Sequence, residues 1–511
     1  MIVSVVPILR LRRATGAWSY KVPHGKTCQP GSLVIVPFRG RKHLGVVWEI
    51  EKDNEKATES VEEILTTKPL VRAQHRAYIG WLSESGFISL STALHGWLPT
   101  ALRGFPLTKA THAAIRNHDA WEPSAAHLAL HTQQVVLTPS QRPQSSALLQ
   151  AKYPEEVVDT FGKQGAQEEL SLWLDILYGK IRVIIGREKA LSAPFLNLRH
   201  VLIQEPEDIA YYHEQLPYLS LVEAGQELGN LWSAQTTLRS YIPQEAANLL
   251  WPSAGTLGSA PLASVKIIDL HHEDILGEQL LTALRNLKPD QQALLLYNAH
   301  DRTVMNNDNA SVLLPGIETL RKKLALALGS TVLPPNIIVD TRHMFAKLHK
   351  NVSVTAILSV DPLLNAQNFA DTVHGWADIG HLLSYRTTCF IQTKQPGHPL
   401  LSSLQNNQFP SYCINLIEER KQNHLPPFAT TVVCTFPTKE KVDELYEIIA
   451  PLLTSTEWQI SHPFGLTWRK KEEFALMMYA QTKERLPRAV IIKLSALIRP
   501  WKVQRSPWFV V

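Results

Sequence analysis

The pattern of apolar and polar positions changes character along the chain. Residues 1–50 contain IVSVVPILRL, GSLVIVPF and LGVVWEI, which are β-branched apolar runs separated by Gly, Pro and basic residues, and they predict strands. The acidic stretch EKDNEKATESVEEIL that follows reads as helical. An amphipathic stretch at 71–98 carries Tyr78, Trp81, Leu82, Phe87 and Leu94. Residues 105–133 are rich in His and Ala with weak periodicity, and they read as a linker. From VVLTP (135–139) onward, helices and strands alternate. AQEELSLWLDILYG and the stretches 275–287 and 318–328 predict helices. IRVIIG, HVLIQ, VKIIDL, ALLLYN, NIIVD, VTAILSV and TCFIQT predict strands. Apolar strands separated by helices imply parallel sheets with crossovers, and the length suits two such lobes. A last α+β segment begins near Pro426-Pro427-Phe428. The expected division is a β-rich domain over 1–104, a linker over 105–134, lobes over 135–262 and 263–424, and a small α+β domain over 425–511.

The length of 511 residues agrees with several domains of roughly 100–200 residues each. A composition of 45% hydrophobic and 19% charged residues is that of a globular chain. No apolar run approaches the ~18 residues of a membrane span, and MIVSVVPILRLRRATG lacks the pattern of a signal peptide. Cys28, Cys389, Cys413 and Cys434 form no C-x-x-C pair, which argues against a zinc site or a disulfide framework and suits a reducing cytoplasm. Charge changes the picture more. Residues 1–48 carry Arg10, Arg12, Arg13, Lys21, Lys26, Arg39, Arg41 and Lys42 with no Asp or Glu, and residues 461–511 are also basic. The middle is net acidic. A carboxylate-free basic region among strands suits a polyanion such as DNA, although a basic face can also serve only solubility.

Candidate chemistry is sparse. Gly25-Lys26-Thr27 invites a phosphate-loop reading, but the Gly required five residues earlier is Tyr20 and no helix follows, so a Pro-His-Gly turn is expected. His271-His272-Glu273 reads as a solvated turn, because adjacent residues rarely converge on one ion. No G-x-S-x-G anchors a nucleophile. VLIQEPED (201–208) is a buried strand ending in an acidic turn, where ligands of α/β sheets gather.

WSYKVPHG…GSLVIVPFRGRKHLGVVWEI, LHGWLPTALRG, IRVIIGREKALSAPFLNLRHVLIQEPED, WSAQTTLRSY and CFIQTKQPGHPLL occur in the order found in the primosomal protein N′ (PriA) family of superfamily-2 helicases, and the chain resembles that family over roughly 450 residues. The resemblance implies a 3′-end DNA-binding domain followed by two RecA-like lobes. It also implies that Trp18 and Tyr20 grip a terminal nucleotide by stacking. Ser19 stands where the family has Asp. Arg39, Arg41 and Lys42 lie in the turn after VIVPF and are expected to face a DNA backbone. The family's D-E-E-H-D box reads Gln204-Glu205-Pro206-Glu207-Asp208, so Glu205 is a relic of the catalytic position and Gln204 cannot hold Mg²⁺. Between Gly104 and Val135 there is no phosphate loop. Thr341-Arg342-His343-Met344 replaces G-T-Q-M, only Arg386 is available for a γ-phosphate, and a short loop in NAHDRTVMNNDNASVLLPG replaces the zinc insertion. The expectation is a cytoplasmic, DNA-binding replication-restart protein without ATP, Mg or zinc sites and without ATPase or helicase activity, with other primosome proteins as partners. The alternatives are an active 3′-5′ helicase with a rearranged site and a primosome scaffold that does not bind DNA.

Overall fold

The computed structural model describes residues 1–11, 16–51, 57–86, 88–121, 124–139, 156–160, 165–212, 219–252, 255–259, 263–270, 276–298, 302–305, 311–314, 316–342, 344, 349–366, 369–425, 427–468, 471–480, 486–497 and 502–504. The first five strands are β1 (Ile2–Pro7), β2 (Trp18–Lys21), β3 (Leu33–Phe38), β4 (Arg41–Glu51) and β5 (Glu63–Ile64). They form one antiparallel sheet in the order β2-β1-β4-β3-β5. Side chains alternate across it with the period of two that a pleated strand imposes. Leu33 and Ile35 join the main core, whereas Val34 and Val36 pack on the other face with Val3, Val5, Tyr20 and Val47.

The acidic stretch after this sheet is not helical where it is described. Val61 donates its N–H to Lys21, Glu62 to Ile35 and Leu65 to Leu33, so the segment closes the free edge of β3. An unpaired strand edge offers backbone partners that a short polar helix lacks, and this outweighs the local propensity. The amphipathic stretch forms two helices, Ala73–Ser85 and Leu90–Trp97. The second is N-capped by Ser89, whose hydroxyl accepts from the N–H of Thr92. Residues 105–134, expected as a linker, instead contain the helices Lys109–Ala120 and Ala125–Leu130 and the start of the next strand. Their aromatic residues explain the order. Trp121 and His118 pack on Tyr178 of the first lobe at ring distances of 4.6 and 6.0 Å.

The first lobe is built on β6 (Gln133–Leu137), β7 (Val157–Asp159), β8 (Val183–Gly186), β9 (Leu198–Gln204), β10 (Gln235–Pro243) and β11 (Gly255–Ser259). All pair in parallel, in the order β11-β10-β9-β6-β8-β7. The second lobe contains β12 (Val265–Asp269), β13 (Gln292–Leu296), the hairpin β14 (Arg302–Met305) and β15 (Ser311–Leu314), β16 (Ile337–Asp340), β17 (Val352–Ile357) and β18 (Thr388–Thr393). Its parallel order is β12-β18-β17-β13-β16. The β14–β15 hairpin stands where a short loop was expected.

Both parallel sheets are apolar on two faces, as sheets covered by crossover helices must be. Leu294 and Leu296 face one core, Ala293 and Leu295 the other. A separate antiparallel sheet follows, with β19 (Thr430–Phe436), β20 (Trp458–Ile460), β21 (Phe464–Trp468), β22 (Lys471–Ala480) and β23 (Lys502–Gln504). The helix Lys439–Leu453 supplies its core with Val442, Leu445 and Ile449. The architecture is therefore α/β, with an N-terminal antiparallel sheet, two parallel-sheet lobes and a C-terminal α+β region. No described helix is long and apolar enough to cross a membrane.

Candidate nucleic-acid interface and the cleft between the lobes

The β3–β4 hairpin turns on Arg39 and Gly40, with φ of 52° and 75°. Two successive positive φ values make the mirror-image turn whose twist matches the flanking strands. Arg39 and Arg41 are exposed at this tip, and Arg39 lies 5.3 Å from the ring of Phe38. Arg41 and Lys42 begin β4 and so lie beyond the turn proper. Lys42 pairs with Glu62 at 2.5 Å, a largely exposed contact that a phosphate can replace at little cost. Trp18 meets Phe38 edge-on at 4.8 Å, and His43 lies 6.2 Å from the same ring. One end of the sheet thus gathers Trp18, Phe38 and His43 beside Arg39, Arg41 and Lys42.

Tyr20 does not belong to that surface. It is 3% exposed, and its hydroxyl donates to the Pro37 carbonyl at 2.8 Å. Burial pushes its ionisation up to about 12. Two residues from Trp18 on β2, Tyr20 shares that residue's face but lies inside the core where Trp18 sits at the margin, and it offers no stacking surface. The neighbouring Ser19 donates to both oxygens of Glu51, at 3.0 and 2.9 Å. Gly25-Lys26-Thr27 lies in a turn closed by the Lys26 N–H on the Pro23 carbonyl, with Gly25 at φ 77°. Arg12, Arg13, Phe87 and His271-His272-Glu273 lie outside the described residues.

The second place of interest is the crevice outside the carboxyl ends of β9 and β10, where open α/β sheets bind ligands. The Glu205–Asp208 turn sits there. Glu205 takes a φ of 50°, a strained conformation for a side chain with a Cβ, and its N–H donates to the Arg239 carbonyl. Burial, reinforced by the negative charge of Glu207, raises the Glu205 carboxyl to about 7. Glu207 is fully enclosed. It accepts from the Ser240 hydroxyl at 2.9 Å and the Tyr241 N–H at 3.2 Å, yet desolvation still raises its carboxyl to about 7. Asp208 caps a 3₁₀ turn by accepting from the Ala210 N–H.

From the second lobe, Arg342 enters this crevice just after β16. It forms ion pairs with Asp208 at 3.3 Å and with Asp378 at 3.1 Å. Asp378 lies on the helix Phe369–Ser384, and burial raises its carboxyl to about 6 despite the arginine. On the same helix, His381 stacks on Tyr241 of β10 at 3.9 Å. Desolvation and the Arg342 charge lower its imidazole to about 3 and keep it neutral.

Arg386, the sequence's candidate for a γ-phosphate, is instead exposed in the turn after that helix with φ 57°. The arginine that enters the cleft is Arg342. The signal for it was faint, a single basic residue two positions after the strand NIIVD.

These residues do not fit a Mg-nucleotide. The loop after the first parallel strand, where a phosphate cradle belongs, starts at Thr138 and not before Val135. Its sequence TPSQRPQSSALLQ has neither Gly nor Lys, and residues 140–155 lie outside the described set. Gln204 supplies no charge for a metal. Among the described residues no group of three or more His, Cys, Asp or Glu is arranged to hold a metal ion.

The described residues thus form a basic antiparallel sheet followed by two parallel-sheet α/β lobes that pack directly on each other. Residues 5–99 match the family described as the 3′DNA-binding domain (3′BD) of PriA. The replication restart protein PriA of Rickettsia conorii is 22% identical over 341 residues, 55% of this chain and 51% of that protein. The Rickettsia prowazekii protein is 23% identical over 328 residues, 52% of this chain and 49% of that protein. The chain is thus similar to PriA proteins over about half its length, and its residues 5–99 to their 3′DNA-binding domain. It spans about half the length of the curated relatives it matches.

Among solved structures, a hypothetical ATP-dependent RNA helicase from Sulfolobus tokodaii aligns at 14% identity with a TM-score of 0.20, covering 57% of this chain and 85% of that chain. The yeast DEAD-box splicing factor Prp28 aligns at 11% identity and a TM-score of 0.20, covering 61% and 76%. At that level the fold rests on the strand order itself.

Proposed function

We propose that this protein is a cytoplasmic DNA-binding factor of replication restart that engages branched or 3′-ended DNA without hydrolysing ATP. The observation that carries the reading is the convergence at one sheet end of Trp18 with Arg39, Arg41 and Lys42, inside the segment that matches a 3′ DNA-binding domain. Guanidinium and ammonium groups neutralise phosphates and release counterions, which supplies affinity without reading sequence. A half-buried indole beside them offers one ring face to a terminal base. Tyr20 is a core residue in this reading and contributes only by holding β2 in place. The misfit of the interlobe crevice to Mg-nucleotide supports the absence of turnover, since phosphoryl transfer depends on charge neutralisation and placement. Other primosome proteins remain proposed partners.

The test is binding of the full chain to forked DNA across a salt series. Replacing Arg39, Arg41 and Lys42 together should weaken all DNA about equally and flatten the log–log salt slope by roughly one unit per lost contact. An unchanged slope would remove the hairpin from the interface. DNA-stimulated phosphate release abolished by Glu205→Gln would contradict the absence of turnover.

A further inference from the structure

The crevice between the lobes gathers several buried charged groups, and the DNA-binding reading does not use it. Four carboxylates, Glu205, Glu207, Asp208 and Asp378, surround one guanidinium. Asp208 belongs to the first lobe, whereas Arg342 and Asp378 belong to the second. Arg342 is held from its own side as well. Its backbone N–H donates to the Asn298 side-chain carbonyl at 3.3 Å, and the Asn298 amide donates to Asp378 at 3.5 Å. The guanidinium is therefore positioned by the second lobe and presented to the first.

Contact between the lobes also reaches the backbone. A Cβ on Gly380 would lie 1.8 Å from the Tyr241 carbonyl oxygen, so the helix Phe369–Ser384 rests directly on β10. The ring of His381 covers Tyr241 beside it. One apolar core runs without a break from Val201 and Leu238 of the first lobe to Trp376, Ile379 and Leu383 of that helix. Interfaces that can part are commonly polar, whereas here a continuous apolar core and close backbone packing flank the charged crevice.

We propose that Arg342 is an intramolecular clasp. It occupies the crevice that a ligand of two α/β lobes would use, and it holds the lobes in one closed arrangement that nucleotide does not open. Coupling between DNA and lobe movement is then absent from this chain, and the lobes serve as a rigid platform for the N-terminal sheet. The inference stands apart from the DNA-binding reading, because a chain that failed to bind DNA could still be clasped.

Distance measurement between spin labels tests it on the full chain. The four native cysteines are buried, so Glu245→Cys in the first lobe and Lys322→Cys in the second, both exposed, accept the labels selectively. The unmodified cleft should give one narrow distance that Mg-ATP, Mg-ADP and forked DNA leave unchanged. Arg342→Met should broaden the distribution and add longer distances. Asp208→Asn removes only the charge across the cleft, leaves Arg342 on Asp378, and should broaden it less; it serves if the Arg342 variant does not fold. Two distances in the unmodified cleft, a shift on adding Mg-ATP, or a folded clasp variant with the original narrow distance would each overturn the proposal.

Discussion

Glu207→Gln should stabilise this protein, and by more at pH 8 than at pH 5.5. The carboxyl titrates at about 7 in the fold against 4.5 when free, because its enclosure disfavours the charged form. A carboxyl raised in this way contributes stability that is fully present below 4.5 and is lost as pH rises through 7. At pH 8 the unfolded chain gains almost the whole ionisation free energy and the folded chain little of it. At 1.36 kcal/mol per pH unit the difference is about 3 kcal/mol, falling to about 1 kcal/mol at pH 5.5. Gln is neutral at both values and resembles the protonated acid in shape. Its oxygen can still accept from the Tyr241 N–H and its amide can donate to the Ser240 oxygen, although the Ser240 hydroxyl then loses its acceptor, which offsets part of the gain. Thermal melts of both proteins at the two pH values provide the assay. The variant should melt higher at pH 8 with a smaller gap at pH 5.5. Equal melting points at pH 8, or a variant that loses as much stability as the unmodified protein between the two values, would refute the assignment of a buried, ionising Glu207.

The other expectations concern the contact between the lobes and the N-terminal sheet. Gly380→Ala should lower the melting temperature by several degrees, because its Cβ meets a backbone oxygen and not a side chain that can move aside; an unchanged melt would show that the helix rests less closely on β10. Tyr20→Phe removes one hydroxyl bond to Pro37 and should cost ~0.5–1.5 kcal/mol of stability with DNA affinity unchanged, as measured by melts and anisotropy. Trp18→Ala should reduce the preference for a 3′-hydroxyl over a 3′-phosphate strand by ~1–3 kcal/mol if a base stacks there. If Trp18 only packs against Phe38, the melt will fall and both strands will weaken alike.

Much of the fold was legible because the parallel strands are continuous apolar runs. IRVIIG, HVLIQ and ALLLYN become β8, β9 and β13 almost as written. Their burial on two faces leaves little room for another reading. The acidic stretch before Leu65 misled because its value lies in backbone pairing with β3, which composition does not encode. The helices at 109–130 were hidden by weak periodicity, and their anchor is the distant Tyr178. At the site, the basic residues of the hairpin could be read from charge alone. Trp18 and Tyr20 share one face of β2, and the sequence does not show that Tyr20 lies inside the core while Trp18 sits at its margin. The pairing of Arg342 with Asp208 and Asp378 was not legible because the three are far apart in sequence and are brought together only by the fold.

The most direct test is the affinity of the full chain for forked DNA with a free 3′ end, measured against salt with and without Mg-ATP. The expected result is binding that weakens steeply as salt rises and follows the same curve whether or not Mg-ATP is present. Binding that ignores salt, or a curve displaced by Mg-ATP, would contradict a DNA-binding protein whose lobes no longer answer to nucleotide.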